Sequence, residues 1–137
     1  MPVKPDDAAV KKAKKRLGTL IAKCREKHMS QRQLAIAVGL PPSNMKYIED
    51  GVNCPTAAVY SLIIDVLNPP PKKRDEMDQA YMTIRKTPPP DVCDRVKADT
   101  RLMMIIRAMD DAPLTESQAQ QITELLRSFT SESNKGE

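Results

Sequence analysis

Residues 30–51, SQRQLAIAVGLPPSNMKYIEDG, constrain the fold of this chain more than any other stretch. Ser30 and Gln33 have the spacing of a capping box, which predicts a helix from Gln31 to about Val38. Gly39 follows at the point where a helix commonly ends in the left-handed conformation. The apolar residues of this first helix recur at helical spacing: Leu34, Ala35 and Val38.

A second short helix is predicted directly after that turn. Pro41 and Pro42 can open it, because proline fits the first turn of a helix, and Gly51 ends it. One face carries Met45, Ile48 and Glu49. Two helices joined by a short glycine-containing turn are typical of the helix-turn-helix, whose second helix can enter the DNA major groove. An unrelated bundle with a sharp helical corner and no affinity for DNA is the alternative.

The pattern resembles the Cro and phage-repressor type helix-turn-helix domain, the XRE family. The residues that carry the resemblance are Gln31, Leu34, Ala35, Gly39, Ile48, Glu49, Gly51 and Pro55, and it extends through Tyr60, Ile63, Ile64 and Leu67. It covers roughly residues 17–68. The resemblance implies an all-α, lambda-repressor-like bundle that binds duplex DNA sequence-specifically as a transcriptional regulator, and family analogy favours a repressor.

Two positions depart from the family pattern. Pro41 stands where the family usually has a Ser or Thr cap for the second helix. Cys24 stands where the family often has an Arg that pairs with the Glu of the second helix. We therefore expect Glu49 either to find another partner or to face solvent.

The resemblance also implies which residues meet DNA. Base contacts are expected from the outward face of the second helix, at Pro42, Ser43, Lys46 and Tyr47. Tyr47 has the alternative of being partly core. Contacts to the DNA backbone are expected from Gln31, Arg32, Asn44 and Asn53, with added charge from Lys11, Lys12, Lys14, Lys15 and Arg16.

Composition argues against most other classes of protein. With aromatics at 3% and no Trp, the core must be aliphatic, and methionine fills its gaps. Cys24, Cys54 and Cys93 form no CxxC motif, and His28 is the sole histidine, so we expect no metal site and no cofactor. No phosphate loop or nucleophile–histidine pattern predicts an enzyme. The sequence has neither a membrane span nor an apolar signal core, which predicts a cytoplasmic protein.

Charge is divided unevenly along the chain. Residues 1–68 carry 11 Lys or Arg against 6 Asp or Glu, and residues 69–137 carry 11 against 12. The net charges, +5 and −1, suit a DNA-binding half followed by a half with another task. Residues 1–16 are the basic extension, which forms either extra helical turns or an arm that folds on DNA, unless it merely aids solubility.

The second half is predicted to be helical. The proline run at 69–71 and the basic residues after it predict a linker at 69–74, then a helical dimerisation region at 75–130 and a tail at 131–137. We expect a short helix at 75–86, a longer one at 91–109 and a last one after a Thr115–Gln118 capping box. Counting a short connecting turn, five helices are expected within 8–68 and three after the linker.

We assign self-association to this second half. Its helices have too few large residues to build a large hydrophobic core of their own. The interface is expected at Leu102, Ile106, Ile122, Leu125, Leu126 and Phe129. A homodimer would bind a near-palindromic operator. Two alternatives are that these helices pack on their own N-terminal domain, or that the chain is an antitoxin or anti-activator that grips a partner protein.

Overall fold

The computed structural model describes residues 5–109 and 113–135, with side chains from residue 7 to residue 129 inside those ranges. Every regular element in the described part is an α-helix, so the predicted all-α class is confirmed. The chain divides into two compact units, residues 1–98 and residues 99–137. Unit 1 contains α1 (Pro5–Glu26), α2 (Gln31–Ala37), α3 (Pro42–Glu49), α4 (Ala57–Leu67), α5 (Pro71–Arg85) and α6 (Pro90–Ala98); unit 2 contains α7 (Arg101–Ala108) and α8 (Glu116–Lys135).

The core of unit 1 is mainly aliphatic, as composition requires, and it includes two methionines and one aromatic pair. Tyr60 of α4 and Tyr81 of α5 stack with ring centroids 4.3 Å apart. The Tyr60 hydroxyl donates to Asp78, which also accepts from Arg74, so the buried phenol has a partner. The largest fully buried aliphatic residues around this pair are Leu17, Ile21, Leu34, Met45, Ile63 and Met77.

The predicted linker at 69–74 is wrong. Helix α5 begins at Pro71, and it packs along α1 with Met77, Ala80 and Tyr81 in the core. The proline run opens a helix because proline fits the first helical turn, and Asn68 in the left-handed conformation ends α4 just before it. Helices α5 and α6 therefore belong to unit 1, not to a dimerisation region that starts at residue 75.

The predicted boundary after residue 16 is also absent. Helix α1 is continuous from Pro5, and Ala13 is buried in the same core as Leu17. The described part of the basic extension is thus the first half of α1, which corresponds to the extra helical turns among the alternatives. Within residues 5–68 the structure has four helices, rather than the five expected.

The predicted long helix at 91–109 is interrupted. It is split into α6 and α7, and the carboxylate of Asp99 accepts the backbone N–H of Arg101 at 3.0 Å. A short acidic side chain bonded to a backbone donor two residues on favours a turn over a continuous helix.

Unit 2 contains no buried side chain among its described residues. Helix α8 begins with the expected capping box: Gln118 N–H donates to Thr115 Oγ1 at 3.1 Å, and Thr115 N–H donates to Gln118 Oε1 at 2.9 Å. The six residues predicted as an interface are half-buried at Leu102 and exposed at Ile106, Ile122, Leu125, Leu126 and Phe129. No helix in the described part of the chain is long and apolar enough to cross a membrane.

Candidate nucleic-acid interface

The segment from α2 to α3 is built by local interactions that the sequence specifies. Gln33 N–H donates to Ser30 Oγ at 3.1 Å, and Ser30 N–H donates to Gln33 Oε1 at 2.8 Å, which completes the predicted capping box. Gly39 has φ +74°, and Leu40 N–H donates to the carbonyl of Ala35 at 2.9 Å. Two helices are therefore joined by a short turn whose geometry requires glycine.

Helix α3 starts at Pro42 without a side-chain cap. Pro41 is its N-cap, and the Pro41 carbonyl accepts from Asn44 N–H at 3.0 Å and from Met45 N–H at 3.3 Å. This agrees with the absence of a Ser or Thr at that position. No N–H group of the first turn donates to a capping side chain.

The inner face of α3 is fixed to the core and to α1. Met45 and Ile48 are buried. A Cβ at Gly18 of α1 would lie 2.5 Å from the carbonyl oxygens of Ile48 and Glu49, so only glycine allows α1 to come this close to the end of α3. The position and orientation of α3 are thereby set by backbone contact.

Glu49 has a partner that the sequence did not identify. Arg25 Nε donates to Glu49 Oε2 at 2.8 Å and Arg25 Nη2 donates to Glu49 Oε1 at 3.0 Å. The pair lies largely out of solvent, with side chains 12% and 5% exposed. Of the two expectations for Glu49, another partner or solvent, the first is therefore confirmed, and the residue after Cys24 supplies the arginine.

The outer face of α3 is open. All four residues predicted to contact bases are exposed: Pro42, Ser43, Lys46 and Tyr47. Tyr47 has 48% of its surface accessible, so its ring is not a core residue. Its backbone carbonyl accepts from Val52 and Asn53 N–H, which ties the following loop to α3. Apart from Tyr47, this face carries polar, cationic or small groups. The opposite face of the helix is packed in the core through Met45 and Ile48.

The residues predicted to contact the DNA backbone fall into two groups. Arg32, Asn44 and Asn53 are exposed. Gln31 instead uses its side-chain amide within the protein, donating from Nε2 to Glu49 Oε1 at 3.1 Å. This amide therefore supports the Arg25–Glu49 pair, and a phosphate contact from it would have to replace an existing hydrogen bond.

The basic cluster of α1 is divided by the fold. Lys11, Lys14 and Lys15 line a shallow cleft of about 460 Å³ with Gly51 at the end of α3. Gly51 has φ +78°, and a Cβ there would lie 2.6 Å from the Cα of Lys15. These three lysines thus lie beside the end of α3, with Asp7 and Asp50 as the acidic groups in the same cleft.

Lys12 and Arg16 lie elsewhere. They line a separate cleft with Gln79, Ala80 and Thr83 of α5. A run that looks like one basic patch in sequence is therefore divided between two clefts along α1, and only one of these clefts adjoins the end of α3.

The two structural units differ more in net charge than the two sequence halves, 1–68 and 69–137, do. Residues 1–98 carry 18 Lys or Arg and 11 Asp or Glu, a net of +7, whereas residues 99–137 carry 4 and 7, a net of −3. Positive potential is therefore confined to the unit that contains α3.

The loop before α4 is fastened by Arg85. Its Nη2 donates to the carbonyls of Cys54 and Pro55 at 3.0 and 2.9 Å, and sequence reasoning gave no signal for this contact.

Burial raises the pKa of the Cys54 thiol, although Arg85 and Lys14 act in the opposite direction. Cys54 is consequently a poor thiolate at neutral pH, which does not favour a redox switch there.

The described residues include no cluster of three or more His, Cys, Asp or Glu side chains able to hold a metal ion. Comparisons with protein-family models, with curated proteins and with solved structures find no match to this chain.

Proposed function

We propose that the chain is a sequence-specific, duplex-DNA-binding transcriptional regulator that acts in the cytoplasm as a homodimer on a near-palindromic operator. The observation that carries the proposal is α3: its inner face is fixed by Met45, Ile48 and Gly18, while its outer face presents exposed Ser43, Lys46 and Tyr47. A rigid helix with an open polar face and nearby lysines has the features of a major-groove reader.

Each part of the candidate interface has a separate role in this proposal. Lys46 donates to guanine O6 or N7, Ser43 bonds to a base edge, and Pro42 and Tyr47 contact thymine methyls. Phosphate contacts set the register of the unit on the duplex. They come from Arg32, Asn44 and Asn53, and from the α1 lysines beside the end of α3, which are Lys11, Lys14 and Lys15. Repression follows when the occupied operator overlaps a promoter. The choice of repressor over activator rests on the family resemblance alone.

The direct test is selection of bound duplexes from a random DNA pool at moderate salt, followed by sequencing. We expect enrichment of a motif with two inverted half-sites about 10 base pairs apart, centre to centre. Enrichment of no motif would refute sequence-specific binding.

A second candidate function is favoured by the exposed apolar side chains of unit 2. An antitoxin or anti-activator would use these residues to bind a different protein. Light scattering on the purified chain separates the two: a stable homodimer supports the regulator, and a monomer that forms a complex only with a co-purifying protein supports the second candidate.

A further inference from the structure

Helix α8 carries an apolar stripe whose centre coincides with the midpoint of the helix. The stripe consists of Ile122, Leu125, Leu126 and Phe129, which are 40–56% exposed. Its centre lies between Leu125 and Leu126, and the helix extends nine residues beyond each of these two, from Glu116 to Lys135. An antiparallel partner helix related by a two-fold axis at that point would therefore overlap α8 along its whole length.

Side-chain sizes also match in this register. Antiparallel pairing places Ile122 against Phe129 of the second copy, and Leu125 against Leu126 of the second copy. A parallel pair would instead oppose Phe129 to Phe129 and Ile122 to Ile122. Facing a large residue with a smaller one fills an interface more evenly, and antiparallel helices also align their dipoles favourably.

The described charged residues of α8 lie away from the stripe. At 100° per residue, the described charged residues of α8, Glu116, Glu124 and Arg127, lie about 130–150° around the helix from the centre of the stripe. The stripe face of each copy is therefore free of these charges, although unit 2 is acidic overall. A second copy of this chain fits the face with apolar groups against apolar groups.

We infer that α8 forms the homodimer interface as an antiparallel helix pair, with its two-fold axis between Leu125 and Leu126. This inference rests on the homodimer of the proposed function but not on DNA binding. The chain enters α8 at Glu116, and in this arrangement the two entry points are about 28 Å apart along the helix axes.

The test is double electron–electron resonance on the full-length chain. A variant with Cys24, Cys54 and Cys93 changed to alanine receives one spin label, through either Glu116→Cys or Glu124→Cys, both on the face away from the stripe. Thermal melting and light scattering on the cysteine-free variant verify that it folds and associates as the native chain does.

The antiparallel pair gives a long distance at residue 116, about 30–35 Å, and a shorter one at residue 124, about 20 Å. Similar distances at both sites would show a parallel pair and overturn the inference, as would a monomer at tens of micromolar. Operator binding is measured separately by titration, so a dimer with these distances that binds no DNA would refute the proposed function and leave the helix pairing intact.

Discussion

Arg25 of α1 holds Glu49 of α3 through two hydrogen bonds, from Nε at 2.8 Å and from Nη2 at 3.0 Å. The same arginine donates from Nη1 to the carbonyl of Met29 at 3.0 Å, just before α2 begins. One guanidinium thus joins α1, α3 and the approach to α2. This contact sets the relative position of the three helices that form the candidate DNA surface.

We expect Glu49→Ala to lower the free energy of unfolding by about 3 kcal/mol, because it leaves a largely buried arginine without its carboxylate. Chemical denaturation measures the loss. The matched control is Glu76→Ala, which breaks the more exposed Lys73–Glu76 pair (3.7 Å, with side chains 54% and 25% exposed) and should cost less than about 1 kcal/mol. Equal losses in the two variants would show that the Arg25–Glu49 pair has no special structural role.

Gly18→Ala should destabilise unit 1 by about 2–3 kcal/mol, although alanine normally stabilises a helix interior by about 1 kcal/mol over glycine. The added Cβ would lie 2.5 Å from two carbonyl oxygens at the end of α3. Thermal melting and DNA titration check the prediction. Thr19→Ala, at an exposed position of the same helix, is the control and should change stability by no more than about 0.5 kcal/mol. A more stable Gly18→Ala protein would contradict the close approach of α1 to α3.

Lys46→Ala should change base preference at one operator position and weaken binding by about 1–3 kcal/mol, because Lys46 is exposed on the outer face of α3. Titration against operators with single-base substitutions measures the effect. Lys97→Ala, an exposed lysine of α6, should leave both affinity and preference unchanged. Uniform weakening across all sequences would assign Lys46 to a phosphate instead.

The divided basic cluster gives a prediction about salt. Changing Lys11, Lys14 and Lys15 to glutamine should reduce the slope of log affinity against log salt by up to ~2.7, since each neutralised phosphate contributes ~0.9. Changing Lys12 and Arg16, which line the cleft beside α5, should leave the slope unaltered. Substitution is preferable to deletion of residues 1–16, because deletion would remove Ala13 from the core. If the salt slope falls in both variants, in proportion to the number of charges removed, then the effect of a charge on DNA binding does not depend on its position on α1.

Leu125→Asp combined with Phe129→Asp should give a monomer in which unit 1 remains folded but operator binding falls by ~10²–10⁴, because the second half-site contact is no longer intramolecular. Sedimentation and DNA titration are measured on the same sample. Glu124→Ala with Arg127→Ala, on the opposite face of α8, should keep both the dimer and the affinity. A Leu125→Asp/Phe129→Asp chain that stays dimeric would place the interface elsewhere.

Local chemistry in the sequence determined where several helices begin or end. Ser30 with Gln33 and Thr115 with Gln118 form the predicted capping boxes, and Gly39 and Gly51 take positive φ where α2 and α3 end. Helical periodicity also identified the buried residues of α2 and α3 and of the turn between them: Leu34, Ala35, Val38, Met45 and Ile48. These features depend on contacts within a few residues, and so they are readable without a tertiary structure.

Only the tertiary structure decided which faces meet. Periodicity shows that α5 has an apolar face, but not that this face covers α1, and the proline run before it is equally compatible with an extended linker. The partner of Glu49, the Tyr60–Tyr81 stack and the division of the α1 lysines all join residues distant in sequence. Such contacts depend on how helices cross, and a backbone approach as close as that of Gly18 to α3 sets a crossing that no local pattern encodes.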